Sequence, residues 1–250
     1  MAGHSKWASI KHKKKATDAK RGALFTKLTR AIQVAAREGG GDPTGNPALA
    51  LAVQKAKDAS MPKDNIERAI AKGTGADADA ESFESVLYEG YGPAGVAVLV
   101  ESLTDNRNRT GSEVRHIFTK SGGNLGEPGS VAWVFDKKGV IVVDGERYSE
   151  DDLFAAIDAG AEDVDTEADD AIEIYTTPGE LESVRSALEG AGVSVDSAES
   201  TMIAKQTVEL DAAKARQALR LVELLEDLED VSRVTANFDI PEEVFAEVAG

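Results

Sequence analysis

Val140-Ile141-Val142-Val143 opens the stretch of sequence on which the fold turns. It reads as a strand. A helix follows over Ser149–Ala159, then strands near Asp163–Thr166 and Ile172–Tyr175, a helix over Glu180–Glu189 and a strand from Val193. That order, βαββαβ, is the ferredoxin-like arrangement. It is complete within residues 137–204, which therefore read as one whole domain.

The flanks on either side belong together. Upstream, Val96, Val98 and Val100 alternate as a strand. A helix runs from about Arg107 to Lys120 with Val114, Ile117 and Phe118 inward, followed by a strand containing Val131, Trp133 and Phe135. Downstream, Val208 and Leu210 mark a strand. A helix with Ala218, Leu221, Val222, Leu225 and Leu228 inward and a strand near Val231–Ala236 come next. The repeated strand–helix–strand order assigns residues 77–136 and 205–250 to one discontinuous α+β domain, into which 137–204 is inserted. Ala76-Asp77-Ala78-Asp79-Ala80-Glu81 is small, acidic and aperiodic, and reads as a linker.

Before it, residues 1–76 are helical. A helix from about Lys20 to Arg37 places Leu24, Leu28, Ala31, Ile32 and Ala35 on one face, and Gly39-Gly40-Gly41-Asp42-Pro43 stops it. Pro47 opens a second helix with Leu49, Val53 and Ala56 inward. Pro62 suits the first turn of a third, with Ile66, Ala69 and Ile70 inward and Gly73 as its stop. The expected fold class is multidomain α+β: an N-terminal three-helix bundle and two ferredoxin-like α+β domains, one inserted in the other.

Charge is distributed with the same polarity. Residues 1–75 hold fifteen Lys and Arg against six Asp and Glu, a net +9; residues 76–250 hold thirteen against thirty-nine, a net −26. A body this acidic has no electrostatic reason to approach nucleic acid, so the basic end reads as a site. The chain has no cysteine, which excludes thiolate metal sites and cysteine nucleophiles. Its three histidines, His4, His12 and His116, lie in no ligand pattern, and no metal or cofactor is expected. No apolar run is long enough to span a bilayer, and no apolar segment follows the basic start as in a secretory signal. A cytoplasmic protein that is not an enzyme is expected, because no nucleophile–base–orienter arrangement stands at short range.

The candidate contact residues begin with His4, Lys6, Trp7, Lys11, His12, Lys13, Lys14 and Lys15. The lysines neutralise phosphate, the tryptophan offers a stacking plate for a base, and the histidines donate hydrogen bonds. Two other readings stand beside this one: a solvated lysine run, and Trp7 with Ile10 folded back on the bundle. Lys20, Arg21 and Lys63 join the set, as do Lys27, Arg30 and Arg37, which share a flank of the first helix. A secondary cluster lies in Thr104-Asp105-Asn106-Arg107-Asn108-Arg109-Thr110. Asp105 or Asn106 suits an N-cap, but Arg107 and Arg109 in the first turn oppose the helix dipole. They pair either with phosphate or with acidic groups of the same body. Gly122–Gly129 lacks the Lys-Ser/Thr ending of a phosphate loop and reads as a turn.

Met1-Ala2-Gly3-His4-Ser5-Lys6-Trp7, the lysine segment 10–14 and Lys20-Arg21-Gly22-Ala23-Leu24-Phe25-Thr26-Lys27-Leu28 resemble the YebC/PmpR family. So do Gly41-Asp42-Pro43, Met61-Pro62-Lys63-Asp64-Asn65-Ile66, Tyr88-Glu89-Gly90-Tyr91-Gly92-Pro93, the segment 104–110 and Gly129-Ser130-Val131-Ala132-Trp133-Val134-Phe135. The resemblance implies three domains around a central cavity. It also implies a regulator of gene expression: bacterial members are described as transcriptional regulators that bind promoter DNA. Relatives resemble ribosome-associated translation factors that meet ribosomal RNA or tRNA near the peptidyl-transferase region, some of them relieving stalls at proline runs. The family commonly carries an arginine near Leu49-Ala50-Leu51, which this chain lacks. Physical reading favours RNA, because no helix offers the polar reading face of a helix-turn-helix and no dimer seam is evident, so a monomer is expected. A third possibility is an adaptor whose acidic domains meet basic proteins such as those of the ribosome.

Overall fold

The computed structural model describes residues 18–75, 83–168, 171–241 and 244. In chain order it holds helices α1 (Asp18–Gly39), α2 (Pro47–Asp58) and α3 (Lys63–Gly73), strands β1 (Glu84–Tyr91) and β2 (Ala97–Thr104), helix α4 (Arg107–Lys120) and strand β3 (Asn124–Leu125). There follow β4 (Phe135–Asp144), α5 (Phe154–Asp158), β5 (Asp163–Ala168), β6 (Ala171–Thr176), α6 (Leu181–Gly190) and β7 (Val195–Ala204). The chain continues through β8 (Val208–Glu209), α7 (Ala212–Glu226), β9 (Val231–Ala236) and β10 (Phe238–Asp239). The protein is α+β: α1–α3 precede the first strand, and α4–α7 are interspersed among the strands. It divides into two compact units: one draws on residues 18–131 and 217–234, the other on 132–216 and 235–244.

In the first unit, α1–α3 close around Ile32, Ala36, Leu49, Ala56, Met61 and Ala69. Of the inward faces expected from the periodicity, Ile32, Ala35, Leu49, Val53, Ala56, Ile66 and Ala69 are buried and Leu28, Ala31 and Ile70 half-buried, whereas Leu24, near the start of α1, is 42 % exposed. Asn46 caps α2, its Oδ1 accepting from the Leu49 amide at 3.1 Å while Nδ2 donates to the carbonyls of Ala35 and Gly40, both at 2.8 Å. One buried amide thus ends α1 and begins α2. At Gly73 the backbones of α3 and α1 meet so closely that a Cβ would lie 2.5 Å from the Gln33 carbonyl oxygen.

The sheet of this unit has the order β3-β1-β2-β9, with β1 and β2 an antiparallel hairpin in register from Glu84 opposite Thr104 to Tyr91 opposite Ala97. Phe118 of α4 is fully buried against it. Glu89 is buried on β1, and its carboxylate accepts from the amides of Gly129 at 2.6 Å and Val131 at 2.8 Å. This bond corrects one expectation. Val131, Trp133 and Phe135 do not share a strand: Ala132–Val134 is a 3-10 turn and β4 starts only at Phe135. With its amide held by Glu89, Val131 cannot join a ladder, and Val131 and Val134 turn inward three residues apart while Trp133 is 68 % exposed.

In the second unit the sheet order is β5-β6-β4-β7, all neighbours antiparallel, which is the ferredoxin-like order. The discontinuous sheet shares the α+β make-up but not this order, since its first two strands pair directly. The helices cover one face. Leu153, Ala156, Leu181, Val184 and Leu188 pack on Ile141, Val143, Ile172 and Ile174. The helix expected over Ser149–Ala159 is split into a 3-10 turn at Glu150–Leu153 and α5. Ser149 and Asp152 form a capping box at its start. β8 and β10 make a short parallel pair.

Candidate nucleic-acid interface

The cationic flank of α1 meets an acidic loop. Lys27 Nζ donates to the carbonyl of Glu226 at 2.5 Å. Arg30 donates to Asp230 Oδ1 at 2.8 Å, to Glu229 Oε1 at 2.6 Å and to the Glu229 carbonyl at 3.0 Å, and its guanidinium lies 5.1 Å from the centre of the Phe83 ring. The Arg30 side chain is 14 % exposed and that of Asp230 4 %. These are partly desolvated contacts, unlike a solvated surface pair.

From the opposite side, the 104–110 segment converges on the same carboxylate. Arg109 reaches Asp230 Oδ2 at 2.5 Å and Asp105 at 2.7 Å, and the hydroxyls of Thr110 and Thr104 lie 2.6 and 3.1 Å from Asp230 Oδ2. Asn106 caps α4 by accepting from the Arg109 amide at 3.1 Å. Burial alone would push the Asp230 carboxyl up. Hydrogen bonds from Thr110, Arg109 and Thr104 outweigh it and hold the group below the usual carboxylate range. Arg107 stays 64 % exposed, 3.9 Å from Glu84. A cleft of about 420 Å³ beside this node is walled by Phe83, Glu113, Asp227, Glu229 and the two arginines. Its carboxylates outnumber its guanidiniums, so it repels phosphate.

The arm residues His4, Lys6, Trp7, Lys11, His12, Lys13, Lys14 and Lys15 lie outside the described residues. Lys20 and Arg21 fall in the first turn of α1, with side chains outside the description. Arg37 is exposed in the last turn of α1. Lys63 is exposed at the start of α3, 3.4 Å from Glu67. Arg68 on the same helix donates to the Asp64 carbonyl and to Asn65. The exposed face of α3 is therefore a mixed-charge surface whose cations have local partners.

Sequence reading missed the loop at Glu226–Asp230. A signal for it exists. The last turn of α7 carries no basic residue and the first turn of α4 no acidic one, so both helix ends run against their dipoles. Each end supplies the charge that the other lacks.

Comparison with known proteins matches residues 5–76 to the TACO1/YebC protein N-terminal domain and residues 83–238 to the TACO1/YebC second and third domain. The chain belongs to the TACO1/YebC family. A "probable transcriptional regulatory protein" of Rubrobacter xylanophilus is 60 % identical over 251 residues, spanning all of both chains. One of Desulfosudis oleivorans with the same description is 56 % identical, covering 98 % of this chain and 99 % of that one. The crystal structure of a conserved hypothetical protein from Aquifex aeolicus superposes with a TM-score of 0.85 at 51 % identity, covering 94 % of this chain and 97 % of that one. As a TACO1/YebC member the protein is grouped with regulators. Among the described residues no helix is long and apolar enough to cross a membrane, and no cluster of side chains suits a metal ion.

Proposed function

We propose that this protein is a non-enzymatic regulator of gene expression that binds nucleic acid through its N-terminal arm and helical domain. The observation that carries the reading is the charge polarity, +9 over residues 1–75 against −26 over 76–250. The acidic cleft at Asp227, Glu229 and Glu113 adds to it, because it repels nucleic acid from that side of the bundle. The relatives' descriptions as transcriptional regulators point to promoter DNA as the target.

Ribosomal RNA is the second reading, and one observation favours it. α3 exposes Lys63, Asp64, Glu67 and Arg68, with its cations already engaged, which is a poor face for reading a major groove. A lysine arm with one tryptophan suits irregular RNA better. Binding of the whole chain to duplex DNA and to ribosomes, measured at one salt concentration, separates the two. Replacing Lys11, Lys13, Lys14 and Lys15 with alanine is expected to weaken whichever binding is found and to flatten its salt dependence. Retention of it in full by the variant would sink the proposal.

A further inference from the structure

The ferredoxin-like sheet of the second unit has its helices on one face only, yet part of its other face is buried. Val140, Tyr175 and Ile203 form an apolar cluster there, each less than one-tenth exposed. Among the described residues only Val142, from the same face, adds an apolar side chain to that cluster. Strand register sets acids among them. Val140 stands opposite Tyr175 and Glu199, Tyr175 opposite Asp163, and Val142 and Asp165 each opposite Glu173. Glu173 is 5 % exposed, and its carboxylate accepts from the Tyr175 hydroxyl at 2.5 Å. Burial pushes the Glu173 carboxyl up, and a cation laid over it would offset that cost by favouring the ionised form.

The covering segment must be apolar in part and cationic. The stretches outside the described residues at 76–82, 169–170, 242–243 and 245–250 each carry Asp or Glu and no Lys or Arg. Laid on this face they would add like charge. Residues 1–17 carry Met1, Trp7 and Ile10 together with Lys6, Lys11, Lys13, Lys14 and Lys15, and no acidic residue. Fully extended, seventeen residues reach about 55 Å. That is well beyond the roughly 15 Å width of four strands.

We propose that residues 1–17 dock in cis across the helix-free face of this sheet, Trp7 or Ile10 on the Val140–Tyr175–Ile203 cluster and lysines on Asp163, Asp165, Glu173 and Glu199. The acidic face then stores the arm, and nucleic acid must displace it to bind. Only this consequence rests on the proposed function; the docking itself does not.

The chain holds two tryptophans, Trp7 and Trp133. In full-length W133F, Trp7 is the sole reporter, and its emission is expected to be blue-shifted and shielded from acrylamide at low salt. Adding D163N, D165N and E199Q is expected to raise quenching several-fold with an unchanged far-UV spectrum, and to strengthen binding of a single-stranded RNA oligonucleotide several-fold. Equal quenching before and after neutralisation, whether high or low, overturns the docking. So does shielding that grows with protein concentration, which would place the arm on a second copy. Loss of shielding with no RNA or DNA binding by any variant upholds the docking and instead defeats the proposed function.

Discussion

Replacing Asp230 with alanine tests whether the node that joins α1, α4 and the 226–230 loop holds the first unit together. The substitution removes a carboxylate with a 4 % exposed side chain, and with it the acceptor for Arg30, Arg109, Thr104 and Thr110. Breaking a buried ionic contact by removing one partner costs about 3–5 kcal/mol. The Arg109 share is discounted, because that side chain is 42 % exposed and recovers solvation. The Arg30 share is not, since its side chain is 14 % exposed and stays under Phe83 with only Glu229 left. The expected loss is about 3 kcal/mol, or a fall in Tm of roughly 6–12 °C for a unit of this size. Calorimetry of D230A beside wild type measures it. A fall of under about 2 °C would refute the reasoning, since surface substitutions do as much. The pH dependence has a definite sign. The folded carboxyl titrates below its unfolded value of about 3.9, so its contribution is complete above that pH. It is lost as pH falls through the lowered folded value. The gap between wild type and D230A is thus expected to be constant from pH 5 to 8 and to close only in acid, below about pH 4.

Two further substitutions probe the bundle. In G73A the new methyl group would lie 2.5 Å from the Gln33 carbonyl oxygen and 2.8 Å from the Ala36 Cβ, so α3 must shift from α1, and a loss of about 1–3 kcal/mol is expected in urea melts. A neutral or stabilising G73A would contradict the close crossing. In N46A the amide of Leu49 loses its cap and the carbonyls of Ala35 and Gly40 lose a donor, for an expected loss of about 2 kcal/mol by the same melts.

Local chemistry made much of the fold legible. Pro47 with Leu49, Val53 and Ala56, or Ile66 with Ala69 in the helix after it, carries its own period, and these residues are buried as read. Reading failed where a distant partner decides. Val131, Trp133 and Phe135 alternate like a strand, but Glu89, some forty residues away, takes the Val131 amide and turns the segment into a 3-10 turn. The site shows the same limit. Arg107 and Arg109 announce themselves by opposing a helix dipole, yet the sequence leaves both phosphate and an internal acid open. Asp230 settles Arg109 from more than a hundred residues away. Arg30 and Lys27 look like a free cationic flank because the spacing along α1 says nothing of the loop that covers it.

The central claim is that nucleic acid is held by the basic arm and not by the body. The most direct measurement is the salt dependence of nucleic-acid affinity for the whole chain and for the variant with Lys11, Lys13, Lys14 and Lys15 changed to alanine. If about five phosphates are neutralised, log K falls with log salt at a slope of about −4 to −5 on duplex DNA, and the variant flattens it by about 3–4 units. An unchanged slope in the variant would contradict the account.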